Sequence, residues 1–141
     1  MNKKLLLACA LATSMTFAFS ASIEGTWKTI DDITHRPKAL VKIQKTGNTY
    51  SGTVVHLFPG AMTICNKCPG KDKNRPILNL VVLKELKDMG NNVYENGRLF
   101  DPKNGKTYSG SAQLLNNNQL KLRGYIGIKL LGRSQIWQRV Q

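Results

Sequence analysis

Two cysteines separated by two residues, Cys65 and Cys68, lie in the stretch TICNKCPGKDKNRP at 63–76, just ahead of Lys71, Lys73 and Arg75. Such a pair can close a disulfide, supply half of a tetrahedral metal site, or exchange electrons as a dithiol. Exchange motifs open a helix whose end lowers a thiol pKa, but here Pro69-Gly70 follows at once. A metal site needs two further ligands, and the spacing of the chain's two histidines, His35 and His56, matches no zinc finger. The disulfide is therefore the favoured reading, provided the chain leaves the reducing cytosol. A Cys-Cys-His-His metal set stays open as an alternative.

Other candidate chemistry is thin. Asp31 and Asp32 are adjacent on an extended segment, so their carboxylates point to opposite faces rather than acting as an acid/base pair. Asp101-Pro102 reads as a turn starter. No Ser-His-Asp set and no phosphate-cradling glycine loop stands out. The expectation is a non-enzyme without a cofactor.

The N-terminus carries the compartment signal. Lys3 and Lys4 precede an apolar run from Leu5 to Ala12, and Ala18-Phe19-Ser20 has small-x-small spacing. That is the pattern of a secretory leader at 1–20, cleaved near Ser20. The run is interrupted by Thr13, Ser14 and Thr16, and it is shorter than the roughly 20 residues of a spanning helix. An integral membrane protein is not expected. Cys9 follows Leu6-Leu7-Ala8, but too soon after the basic residues for a lipidation box. Residues 21–141 then form one domain of ordinary size. The formal charge of +13 drops by two with Lys3 and Lys4, and only Cys65 and Cys68 remain as cysteines. A periplasmic or secreted protein with one close cysteine pair is the expected product.

The scaffold that positions these residues reads as all-β. From Ser22 the chain keeps a two-residue period broken by Gly and Asn clusters, with no long helical face. Eight strands are predicted at 24–31, 39–45, 49–57, 77–86, 93–100, 106–115, 119–126 and 133–140. Turns at Thr46-Gly47-Asn48, Gly90-Asn91-Asn92 and Asn116-Asn117-Asn118 suit tight hairpins, because Gly and Asn tolerate positive φ. Strands joined by hairpins suggest one up-and-down antiparallel β-barrel, whose closure leaves no open edge. By alternation Tyr108, Ala112 and Leu114 face inward, as do Tyr50, Val54 and His56 in the similar stretch KTGNTYSGTV. Tyr125 is a further candidate for the wall.

Gly25-Thr26-Trp27, opening the first strand, and QIWQRV at Gln135–Val140, closing the last, resemble the calycin pattern shared by lipocalins and fatty-acid-binding proteins. The resemblance implies that Trp27 plugs the closed end of the barrel and that Arg139 packs across it. The blocks GTWKTIDDITHRPKALVKI, CNKCPGK, LFDPKNGKTYSG and LRGYIGIKLLGRSQIWQRV are similar to a family of small exported bacterial proteins of unknown function with a lipocalin-like barrel. That family implies a fold and an address, but no activity.

In an up-and-down barrel alternate connections share an end, so 32–38, 58–76, 101–105 and 127–132 should meet at one rim. Arg36, Lys38, Lys71, Lys73 and Arg75 fall there, with Lys67, Lys103, Lys106, Lys129 and Arg133, against Asp31, Asp32, Asp72 and Asp101. A mouth of one dominant sign attracts anions. The expected function is binding of a small apolar or amphipathic, anionic ligand inside the barrel, with an acidic headgroup received by the basic rim. The alternative is a filled barrel whose rim serves as a basic interaction module for an anionic envelope component or a protein partner. Nucleic acid is not expected as a partner, since no recognition module or aromatic stacking platform is present.

Overall fold

In a computed structural model that describes residues 8–14 and 21–141, ten short strands follow one another with two single-turn 3-10 segments. The leader-like segment and its cleavage point fall largely on residues 1–7 and 15–20, outside the described residues. The strands are β1 (Gly25–Ile30), β2 (Pro37–Thr46), β3 (Thr49–Leu57), β4 (Ile64–Cys65), β5 (Arg75–Pro76), β6 (Val81–Asp88), β7 (Val93–Asp101), β8 (Lys106–Asn116), β9 (Gln119–Tyr125) and β10 (Arg133–Arg139). Eight of them close into an antiparallel barrel in the order β1-β10-β9-β8-β7-β6-β3-β2. Apart from the β1–β10 closure, each barrel strand pairs with the barrel strand next to it along the chain, which is the up-and-down arrangement.

The tight turns follow from residue type. Asn91 and Asn92 both adopt positive φ, 54° and 61°, between β6 and β7. That is the mirror-image turn whose twist matches two antiparallel strands, and Asn enters it at small steric cost.

One half of the interior is filled. Trp27, Ile43, Tyr50, Leu86, Tyr94, Leu114 and Leu120 are all buried, and the rings of Tyr50 and Tyr94 meet edge to face at 5.4 Å. Trp27 donates its indole N–H to the Ile23 carbonyl at 2.9 Å, so its one polar atom is satisfied inside the apolar floor. The Arg139 guanidinium carbon lies 4.3 Å from the centre of the Trp27 ring. Its three nitrogens donate to the carbonyls of Asn117, Glu24 and Ser22, each at 2.6 Å. One side chain thus ties the chain entering β1, the β8–β9 turn and the last strand together.

Two departures from simple alternation matter for the site. Leu40 pairs with His56 and Val41 with Val54, so Val55 is an extra residue on β3. This bulge turns the strand over. Leu57 then packs against the core, while His56 is exposed outside, edge-on to Phe58 at 4.9 Å. The expected inward placement of His56 is corrected accordingly. The second departure is at 77–80, expected as the start of a strand. Asn79 has a φ of 70°, and its amide donates to the Val54 carbonyl, while Val54 donates to the Leu80 carbonyl. The segment is therefore an irregular loop hydrogen-bonded to β3, and β6 begins only at Val81.

Candidate functional site

The connections β1–β2, β3–β6, β7–β8 and β9–β10 gather at the end opposite Trp27 and Arg139, as the alternation of hairpins requires. At that end the interior opens into a cavity of about 480 Å³. Its wall is built from Val41, Val54, Leu57, Val82, Leu99, Phe100, Leu122 and Trp137, one or two from each of six barrel strands. The two remaining barrel strands contribute Thr29 and Ile30 from β1 and Tyr108 from β8.

Polar groups concentrate near the mouth. Gln135 donates to Asp32 at 2.9 Å and accepts from the Trp137 indole N–H at 3.2 Å. Arg133 pairs with the same Asp32 carboxylate at 2.7 Å. This relay runs from the wall to the rim and ties β10 to the β1–β2 connection. Asp31 is spent on its own loop: one carboxylate oxygen accepts from the amides of Thr34 and Ile33 and from the Thr34 hydroxyl. The backbone donors, Thr34 first, hold its carboxyl below the usual range, with help from nearby Lys38. Asp101 likewise accepts from the Lys103 amide in its turn. The Tyr108 hydroxyl accepts from the Asn104 side-chain amide at 2.7 Å. Lys38 and Lys103 line the cavity without an ion pair among the described residues.

The β3–β6 connection walls one side of the mouth. Ala61, Met62 and Ile77 reach the cavity, and behind them Cys65 and Cys68 are buried and joined in a disulfide. Both sulfurs are engaged with each other, so the pair does not present two thiolates to a metal. Among the described residues no group of three or more His, Cys, Asp or Glu is placed to hold an ion. The small β4–β5 hairpin, not foreseen from the sequence, continues this stapled element.

Of the residues expected to form the interior site, Val54, Tyr108 and Tyr125 line the cavity. Tyr50, Ala112 and Leu114 are buried but belong to the packed floor, because aromatic bulk from Trp27, Tyr50 and Tyr94 fills the lower barrel. His56 is outside. Of the basic rim, only Lys38 faces the cavity; Arg36, Lys71, Lys73 and Arg75 are exposed and do not line it. Arg75 pairs locally with Asp72 at 3.4 Å. The lining charges are Lys38, Lys103 and Arg133 against Asp31, Asp32 and Asp101, a balanced set instead of a uniformly cationic throat. Loop lysines sit at the expected end, but topology alone does not say which side of a loop they occupy. Trp137, Gln135 and Phe100 were missed as site residues. The Gln135/Trp137 alternation on the last strand was the available signal.

Among the described residues no helix is long and apolar enough to cross a membrane. No curated protein matches the chain. A solved structure described as "Protein HP1028 from the human pathogen Helicobacter pylori belongs to the lipocalin family" superposes with a TM-score of 0.77 at 19% identity, covering 86% of this chain and 85% of that one. The likeness establishes a lipocalin-type barrel and nothing about cargo. Residues 25–139 match the family described as "Uncharacterized protein conserved in bacteria (DUF2147)", which spans every barrel strand; the chain belongs to that bacterial family.

Proposed function

We propose that this chain is an exported binding protein whose barrel holds one small amphipathic, anionic molecule. The observation that carries this reading is the half-filled interior. An apolar cavity of about 480 Å³ opens at one end and carries its charged residues near that opening. Ligand sites of this kind are concave and mainly apolar, with a few polar groups fixing orientation. An apolar tail would lie against Val54, Leu99, Phe100, Leu122 and Trp137. An acidic headgroup would meet Lys38 and Lys103, the two lining cations without an ion pair among the described residues. The open interior favours this reading over a filled barrel acting only through its surface. The leader-like N-terminus and the buried Cys65–Cys68 disulfide support a periplasmic or secreted location.

Native mass spectrometry of protein purified from its own host should reveal a bound small molecule at one per chain. Titration with a fluorescent fatty acid should saturate at the same stoichiometry, and Lys38→Glu with Lys103→Glu should weaken uptake about tenfold or more. Ligand-free protein from every preparation, together with no uptake of the probe, would sink the reading.

A further inference from the structure

Between residues 21 and 141, the four most exposed large apolar side chains are Leu130 at 82%, Ile33 at 76%, Leu131 at 76% and Ile126 at 65%. All four lie at the mouth, and Ile33, Ile126 and Leu131 also line the cavity. Ile128 in the same connection is 58% exposed. The two connections that carry them are neighbours, because β1 pairs with β10 and the Asp32–Arg133 ion pair bridges the loops directly. The result is one apolar lip continuous with the cavity, a feature soluble surfaces seldom leave uncovered.

The lip is held in place. Arg123 donates to the carbonyls of Lys129 and Leu130 at 2.7 and 3.0 Å and to the Ser134 hydroxyl at 2.8 Å, and Lys129 pairs with Glu95. Polar contacts therefore fix the backbone of the loop while its apolar side chains stay in water. Cations flank it: Arg36 stands three residues beyond Ile33, Arg133 two beyond Leu131, and Lys38 and Lys103 line the same opening. Asp31, Asp32 and Asp101 share this opening, but Asp32 is paired with Arg133, and Arg36, Lys38 and Lys103 carry no ion pair among the described residues. On a chain whose net charge of +13 drops only by two with the leader, apolar side chains beside these cations complement a surface of acyl chains beneath anionic headgroups.

We propose that the mouth docks on an anionic phospholipid bilayer, with Ile33 and the 126–131 connection entering the headgroup region. The cavity then opens onto the membrane face, and an amphipathic molecule passes between the two without crossing water. Docking is a property of the lip and does not require the interior reading to hold.

Co-sedimentation with phosphatidylcholine vesicles, with and without phosphatidylglycerol, tests it. The protein should partition onto the anionic vesicles and be released by salt. Ile128→Ser with Leu130→Ser should lower partitioning about tenfold or more, given the free energy of transferring two such side chains. Arg36→Glu should lower it on anionic vesicles. Neither Ile128 nor Leu130 lines the cavity, so uptake of a soluble fluorescent fatty acid reports the interior separately and should be unchanged in that variant. Equal binding to neutral vesicles, unaltered binding by the serine variant, or a concentration-dependent dimer that the serine substitutions dissolve would each overturn the proposal.

Discussion

Gly105, in the β7–β8 turn, lies directly against the carbonyl oxygen of Lys67, the residue that precedes Cys68, so closely that a Cβ on Gly105 would overlap it. Gly105 also has a φ of 74°, a conformation other residues adopt at a cost. This contact seats the stapled β3–β6 connection on its neighbour across the mouth. Gly105→Ala should therefore destabilise the fold by about 1–3 kcal/mol, through strain and the forced separation of two loops. Urea unfolding measures this, and an unchanged midpoint would show that the two loops do not rest on each other.

The disulfide should matter more for local shape than for global stability. It closes a loop with only two residues inside, which limits the chain-entropy gain to about 2 kcal/mol. Cys65→Ser with Cys68→Ser should lower the melting temperature modestly, yet expose 58–80 to limited proteolysis while the barrel survives. Cleavage elsewhere first would contradict this.

At the floor, Arg139 combines a ring contact with three carbonyl hydrogen bonds. Arg139→Ala removes all four and leaves carbonyls facing each other, at an expected cost of about 3–5 kcal/mol. Arg139→Lys should recover less than half, since a single ammonium cannot reproduce a planar fork. Equal stability of the Lys variant and the parent would contradict the role given to that fork.

Tyr94 supplies a pH signature. Burial pushes its hydroxyl up to about 12 from the ordinary value of 10.0, with Asp88 adding to the shift. A raised folded value means that the neutral phenol contributes its full stability below the unfolded pKa. That contribution is lost as pH climbs from about 10 through about 12, because the unfolded chain releases the proton first. Ultraviolet titration should show a late-ionising phenol that is lost in Tyr94→Phe, and the same substitution should flatten the alkaline loss of stability.

Gly124 offers a way to plug the cavity without disturbing the wall. A Cβ there would meet its nearest neighbours, Tyr108 and Leu99, at 3.5 and 3.6 Å, ordinary contact distances. Gly124→Leu should therefore fold, keep its melting temperature within a few degrees, and abolish uptake of a fluorescent fatty acid. Undiminished uptake would move the binding site elsewhere.

Much of the architecture could be read along the chain because it rests on local physics. Period-two alternation marks strands, paired asparagines such as Asn91-Asn92 mark hairpins, and consecutive hairpins dictate which connections share an end. The Gly25–Trp27 and Gln135–Val140 blocks pointed to the closed floor, where the Trp27–Arg139 contact lies. The disulfide followed from the spacing of Cys65 and Cys68 together with the leader-like N-terminus.

Tertiary structure alone decided where the filled floor ends and the cavity begins. Tyr50, Ala112 and Leu114 alternate correctly yet sit too deep, because cavity depth depends on how Trp27, Tyr50 and Tyr94 share volume across strands distant in sequence. One extra residue at Val55 sent His56 outside, and a bulge leaves no mark in an alternation pattern until its partner strand is known. Sequence places a lysine at an end of the barrel; only the tertiary structure leaves Lys71, Lys73 and Arg75 off the cavity wall and sets Lys38, at the start of β2, on it. Local propensity acts through near neighbours, whereas a cavity is the volume that many distant side chains together fail to fill.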